Sequence, residues 1–261
     1  MTAGVVAPGK ADRGLPRSVW DNHRDLAVEL LTIGRHPRAG YAHRRPWAGI
    51  DWTQYAASVP LGGRSGPWRV GMVEVTDDSP TAAVAHAEGM PHRAGWYTEL
   101  RHDLRGLVMS DVPTEIAGAL DFLDRAHGRV LIAGLGLGVV PAWLLRHADV
   151  ERVDVVELDP HVIKVVAGDP EPDWWQADPR LHLHHADAHT WTPPPGVRWH
   201  CAWFDIWDTI SHHNLPSMRH LQRRYRSRVG WAMCWERAEC VNLVRLGATV
   251  ERPGCSLPEW V

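Results

Sequence analysis

The sequence predicts an α/β fold: a doubly wound, mainly parallel sheet over residues 111–261, preceded by a small β unit at 67–110 and an N-terminal tail, helix and irregular cover at 1–66. Three observations predict it. Past Asp111, short apolar runs alternate with segments of helical period, the pattern of parallel strands joined by crossover helices. The first run ends in Gly134-Leu135-Gly136-Leu137-Gly138 and leads straight into a helical pattern. The second ends in an acid, Glu157, nineteen residues beyond Gly138.

Each element has its own signal. Ser18 followed by Val19, Leu26, Leu30 and Ile33 predicts a capped helix ending at Gly34. Residues 35–66 read as irregular, with Trp20, Trp47 and Trp52 as apolar anchors that dock this cover on the core. Trp68–Val75 alternates as a strand does, and Trp96–Arg101 and Gly106–Ser110 add two more. Pro113–Ala126 predicts a helix with Asp111 as N-cap and Gly128 as stop. Strands follow at 129–133, 153–157, 181–184, 201–205 and 231–234. Helices are expected at 139–147, 160–167, 214–229 and 237–246.

Composition excludes several classes. With 261 residues, 44% apolar and 23% charged, the chain has the usage of a globular protein rather than a disordered one. A net charge of −3 gives no global basic field for nucleic acid or anionic lipid. The longest apolar run, 130–145, holds three glycines and a proline and is shorter than the ~20 residues that span a bilayer. Residues 1–14 lack the apolar core of a secretory signal. Cys201, Cys234, Cys240 and Cys255 show no C-x-x-C pair, so reduced thiols and a cytoplasmic location are expected. Two skews stand out: 15 Trp against 2 Phe, and 28 basic residues of which only Lys10 and Lys164 are lysine.

The glycine turn and its acid carry the chemistry. Glycines let a backbone turn tightly and approach a ligand where a Cβ would collide. A carboxylate at the end of the second strand accepts hydrogen bonds from both hydroxyls of a ribose. The dinucleotide pattern G-x-G-x-x-G is not met, because position 139 is Val. Ala186-Asp187-Ala188 and Asp205 place further polar groups at the carboxyl edge, where open α/β sheets bind ligands.

Residues 129–207 resemble the cofactor half of class I S-adenosylmethionine (SAM)-dependent methyltransferases, and within them the spermidine synthase branch. The segments concerned are VLIAGLGLG (130–138), VDVVELDP (153–160), DPRLHLHHADA (178–188) and FDIWD (204–208). The resemblance implies a Rossmann-like sheet of the class I methyltransferase type with SAM as cofactor. Gly134, Leu135, Gly136 and Gly138 would lie against its amino-acid portion. Glu157, with Leu158 beside it, would hold the ribose, and Asp187 with Ala188 would face the adenine. The small β unit and an acidic stretch at Asp111 and Glu115 fit the spermidine synthase layout, and these two acids are substrate-binding candidates. Aminopropyltransferases of that branch carry an acid in the glycine loop where this chain has Leu137, and small hydroxyl residues where it has Ile206 and Trp207. An ordinary SAM-dependent methyltransferase is therefore the expected reading. An aminopropyltransferase using decarboxylated SAM is the alternative, and a non-catalytic SAM-binding protein is a third.

Asp205 is the candidate base, orienter or cofactor ligand, and Asp208 is a second catalytic candidate. Trp207 would narrow the acceptor channel, and His212 lies on the same loop. A small-molecule acceptor is expected, with nucleic acid as the minority alternative on account of Arg35, Arg38, Arg44 and Arg45 and of Arg219, Arg223, Arg224, Arg226 and Arg228. The second arginine group falls opposite the inward stripe of its helix and reads as a solvated face. A homo-oligomer is compatible with the sequence, and no membrane partner is expected. His182, His184, His185, His189, His212 and His213 cluster without any metal-ligand spacing, so no metal is expected.

Overall fold

A computed structural model of the protein describes residues 49–146, 149–168 and 174–245. The predicted helix at 18–34, Trp20, Trp47, the arginines at 35–45 and Cys255 lie outside those residues.

The large sheet is wound as expected. Five strands, β5 (Gly128–Ala133), β6 (Val150–Glu157), β7 (Leu181–His185), β8 (Trp199–Phe204) and β9 (Val229–Cys234), lie in the order β7-β6-β5-β8-β9. All four pairings are parallel. The side-chain period of two explains why the central strands are apolar throughout. Val130 and Ile132 of β5, with Cys201 and Trp203 of β8, join the core on one face. Leu131 and Ala133, with Ala202 and Phe204, join the core on the other. The first face is covered by α4 (Val139–Arg146) and α5 (Pro160–Ala167), the second by α6 (Leu215–Tyr225) and α7 (Arg237–Arg245). Leu215, Met218, Leu221 and Tyr225 form the inward stripe of α6. Chain order reverses between β5 and β8, and a crevice opens there at the strands' carboxyl ends.

A second sheet, antiparallel, precedes this one. Its strands β1 (Arg64–Ser65), β2 (Trp68–Val75), β3 (Gly95–His102) and β4 (Gly106–Ser110) are ordered as they occur in sequence. It docks over α5: the Trp68 indole N–H donates to Asp159 Oδ2 at 2.6 Å, and Ser65 Oγ bonds His161 Nδ1 at 3.0 Å. Trp68, Val70 and Leu100 continue the first core cluster. Trp52, in a 3₁₀ turn at Trp52–Tyr55, packs on that cluster too, as an anchor should.

Four expectations are corrected. A helix α1 (Pro80–Glu88) interrupts the small β unit, capped by Ser79 Oγ and ended by Gly89 at φ 65°. Asp111 is not a helix cap. Val112 occupies that position, while the Asp111 carboxylate accepts from Thr98 N at 2.7 Å and Ala57 N at 2.8 Å, tying β3 to the cover. The helix expected at 113–126 is broken into α2 (Pro113–Ile116), a 3₁₀ turn at Ala117–Ala119 and α3 (Leu120–Leu123), with Gly118, a weak helix former, at the break. The helix expected to reach 229 stops at Tyr225, because Val229 already pairs with Trp199 in the sheet.

Buried polar groups account for several of the tryptophans. Asp154 on β6 is 1% exposed and accepts from Arg152, from His184 Nε2 at 2.8 Å and from the Trp199 indole at 2.9 Å. Burial alone would raise its pKa, but the bonds from His184, Arg152 and Trp199 outweigh it and hold the carboxyl well below the usual range. Trp191 packs against both His184 and Trp199. The thiols of Cys201, Cys234 and Cys240 are buried and pushed up to about 11, 12 and 11, mainly by desolvation, which leaves them unreactive near neutrality. Among the described residues no helix is long and apolar enough to cross a membrane. Asp154→Ala should destabilise the fold by about 3 kcal/mol or more in chemical denaturation, since it orphans a buried indole N–H and an arginine together. The native contribution of Asp154 is full above the ordinary aspartate range and drains as pH falls below it, because its folded pKa is depressed.

Candidate functional site

The crevice between β5 and β8 is a cavity of about 630 Å³, roofed by the small sheet. Its floor is the glycine turn. Gly134 has φ +94°, and a Cβ there would stand 1.9 Å from the Asp205 carbonyl oxygen. Only glycine lets the end of β8 close against the end of β5. Gly136 lies beneath Met109, whose Sδ accepts the Leu137 N–H at 3.3 Å. Gly138 stands back from the cavity wall, and a Cβ there would meet the Trp175 ring at 2.3 Å. That ring is fixed by an indole bond to Ser58 O at 2.8 Å. Leu137 is fully buried and faces the core.

The carboxyl end of β6 supplies the next wall. Glu157 Oε2 accepts from Leu135 N and Oε1 from Asp159 N, both at 2.8 Å. Burial raises its pKa and those backbone N–H groups pull it back. Each oxygen takes one backbone proton and keeps acceptor capacity toward the cavity. Leu158, 57% exposed despite being apolar, lies beside it on the wall. Asp187, flanked by Ala186 and Ala188, also lines the cavity, with Oδ1 accepting from His189 N at 2.8 Å.

At the opposite end two carboxylates share the space. Asp205 follows β8 directly, and its pKa is pushed up to about 7 by desolvation, with the charges of Glu236 and Asp208 adding to it. The Trp203 indole N–H offsets this from the same side, although it meets no hydrogen-bond geometry with any partner. Glu115, on α2, is held by Ser110 N at 2.8 Å and Ser110 Oγ at 3.0 Å. Burial, with Asp205 and Asp111 adding their charges, pushes it up to about 8. Trp207 lines the cavity with its indole bonded to Ser217 Oγ, which in turn bonds His189 Nε2.

Three further candidates are placed differently. Asp208 lines the mouth but pairs with Arg105 at 2.8 Å, so it serves as a clasp on the roof. Asp111 and His212 fall outside the cavity wall: the first is spent on backbone N–H groups, and the second stacks on His213 in a 3₁₀ turn. Of the arginines on and after α6, Arg224 donates to Thr190 O and Trp191 O, and Arg228 to Pro194 O and Val197 O. These two staple a loop instead of offering charge to a polyanion. Among the described residues no group of three His, Cys, Asp or Glu side chains is arranged to hold a metal ion.

Sequence reasoning missed the roof. Trp68, Arg105 and Met109 reach the cavity from the small sheet, and nothing local marks them as site residues. Trp203 was legible only as a core strand residue, and Trp235, just beyond β9, went unread.

The parallel order and the crevice at its reversal define an α/β protein of Rossmann-like topology. No protein-family model and no curated protein sequence matches the chain. Solved structures do. The glycopeptide N-methyltransferase MtfA is 19% identical, over 45% of this chain and 51% of that one, with a TM-score of 0.34. The CcbJ methyltransferase from Streptomyces caelestis is 17% identical over 46% and 47%, at 0.33. An S-adenosylmethionine-dependent methyltransferase from Clostridium acetobutylicum is 10% identical over 44% and 43%, at 0.30. The chain thus spans about half the length of the solved structures it matches, and the site's own residues must carry the functional reading.

The raised pKa of Glu115 has a consequence for stability. A carboxyl that binds its proton more tightly when folded makes stability fall as pH rises from its ordinary value, near 4.5, through about 8. Glu115→Gln keeps an acceptor for Ser110 and removes the charge. Its melting temperature should therefore gain on the wild type progressively between pH 5 and pH 8, as followed by thermal denaturation; a constant difference would contradict the assignment.

Proposed function

We propose that the protein transfers a methyl group from SAM to a small-molecule acceptor. The observation that carries this reading is Glu157: a carboxylate at the tip of β6, pinned by N–H groups of the glycine turn and of Asp159, with free acceptor capacity facing a cavity. That geometry suits the two hydroxyls of a ribose. A cavity of about 630 Å³ lies within the 300–1,000 Å³ usual for ligand sites. Leu158 and Ala188 offer apolar surface to a base, and Asp187 offers an acceptor to its amino group. The floor at Gly134 and Gly136 leaves backbone open to the amino-acid portion.

SAM supplies, when bound, a methyl group on a sulfonium that leaves as a neutral thioether. The chain's own share is alignment and proton handling. Asp205 lies beyond the glycine turn on the acceptor side, with a pKa of about 7, so it accepts a proton from a nucleophile near neutral pH. Trp207 and Trp203 limit the space beside it and exclude water.

The spermidine synthase-like variant of this reading has less support. The position where that branch carries an acid is Leu137, and its side chain is in the core with no face on the cavity. Calorimetry should accordingly show tighter binding of SAM than of decarboxylated SAM, and a clear preference for the decarboxylated form would overturn the choice. Asp205→Asn should lower turnover by about 100-fold or more while leaving SAM affinity within a few fold. The wild-type rate should rise with pH through about 7 and then level off as Asp205 ionises, and the variant should lose that limb.

A further inference from the structure

We propose that the acceptor is an amine, bound as its ammonium ion between the carboxylates of Glu115 and Asp205. The proposal rests on the methyl-transfer reading for its second substrate and goes beyond it in naming the acceptor's chemistry.

Charge in this part of the cavity is one-sided. Glu115 enters from α2 and Asp205 from the end of β8, both line the same cavity, and the charge of Asp205 helps to raise the Glu115 pKa. The charge of Glu236 reaches Asp205 and that of Asp111 reaches Glu115, while the charge of Asp208, also felt at Asp205, is offset by its own arginine. The one arginine on the wall, Arg105, is committed to Asp208. Among the described residues no lysine, arginine or histidine pairs with Glu115 or Asp205. Two ionised carboxylates in one cavity out of bulk water are costly unless a cation accompanies them.

An ammonium ion suits the space in three ways. It brings the missing charge. It carries several N–H donors, and carboxylates are acceptors only. Trp203, Trp207 and Trp235 line the same cavity, and indole rings attract cations to their faces. An alcohol acceptor would relieve neither charge, and a carboxylate acceptor would add a third. The Glu115 side chain is already held by two bonds from Ser110, so its orientation does not have to be created on binding.

The same pair handles the chemistry. The bound ammonium gives one proton to the Asp205 carboxylate and becomes a free amine. Its lone pair forms the N–C bond to the methyl carbon as the C–S bond breaks, and that electron pair stays on sulfur. The products are an N-methylammonium ion and S-adenosylhomocysteine, and the proton on Asp205 passes to solvent. Glu115 keeps its charge and holds the cationic product until it leaves.

The test uses the full chain with defined probes: benzylamine and phenethylamine, the corresponding alcohols, and benzoate and phenylacetate. Calorimetry is run with and without S-adenosylhomocysteine. The amines should bind at least about tenfold more tightly than the alcohols, a modest share of the attraction between close unit charges in a partly dry site. The carboxylates should bind more weakly still. Glu115→Gln and Asp205→Asn should each remove most of the amine preference while leaving the alcohols unchanged, with circular dichroism confirming that both variants fold. Equal or absent binding across the three probe classes overturns the proposal. So does a Glu115→Gln variant that loses affinity for S-adenosylhomocysteine and keeps its amine preference, because the carboxylate would then serve the cofactor's own ammonium. A protein that prefers amines but binds no adenosyl ligand would sink the methyl-transfer reading while leaving the amine site standing.

Discussion

At the centre of the molecule the backbone of β8 comes so close to the turn after β5 that the Asp205 carbonyl oxygen fills the place of a side chain on Gly134. The Asp205 N–H donates to Ala133 O at 2.9 Å, which ties this segment to the end of β5. Everything chemical in the site hangs on this closure. It sets where the Asp205 carboxylate leaves the sheet, and it sets the depth of the crevice beside it. The turn is then anchored on its other sides by Met109 against Gly136 and Trp175 against Gly138. A loop that reads as ligand-binding glycine is, in its own structure, first a packing device.

The small sheet completes what the large one begins. A parallel sheet offers only strand ends and loops to its crevice, and those at β5, β6, β7 and β8 form a floor open to water. Trp68 reaches from β2 to Asp159 and Met109 reaches from β4 to the glycine turn, so the roof is bonded to the same loops that line the floor. Glu115 enters the site through this arrangement, because α2 starts immediately after β4 and Ser110 orients the carboxylate. Its raised pKa and that of Asp205 share one origin, removal from water in a space without a countercharge.

The large sheet was legible because its strands are buried on both faces and therefore read as apolar runs, unbroken at 130–133 and interrupted at 153–156 only by the buried Asp154. The acid at Glu157 was legible for the same reason: a polar residue ending such a run has only the sheet's edge to occupy. Helix α1 was legible in principle, since Ser79-Pro80 and Gly89 are ordinary start and stop signals, but nine residues inside a β unit are easily absorbed into a loop. Asp111 was misread as a helix cap, and the packing role of Gly138 went unread, because their partners, Thr98 and Ala57 for the one and Trp175 for the other, are distant in sequence. No local pattern marks Arg105 or Trp203 as site residues, since what they face is decided by how two sheets meet. The tryptophan excess divides along the same line: Trp52 and Trp68 dock the cover and small sheet, Trp175 and Trp199 bond buried or half-buried polar groups, and Trp203, Trp207 and Trp235 line the cavity.

The clasp between Arg105 and Asp208 has a further meaning. Among the described residues it is the one ion pair that joins the hairpin of the roof to the loop beyond β8, and both side chains are more than 40% exposed, at 47% and 43%. A pair so wetted is worth about 0–1 kcal/mol, comparable with thermal energy. Traffic through the mouth is therefore not limited by this bond, which breaks and reforms at little cost. What it provides is a contact that spans the two sides of the cavity without locking them together.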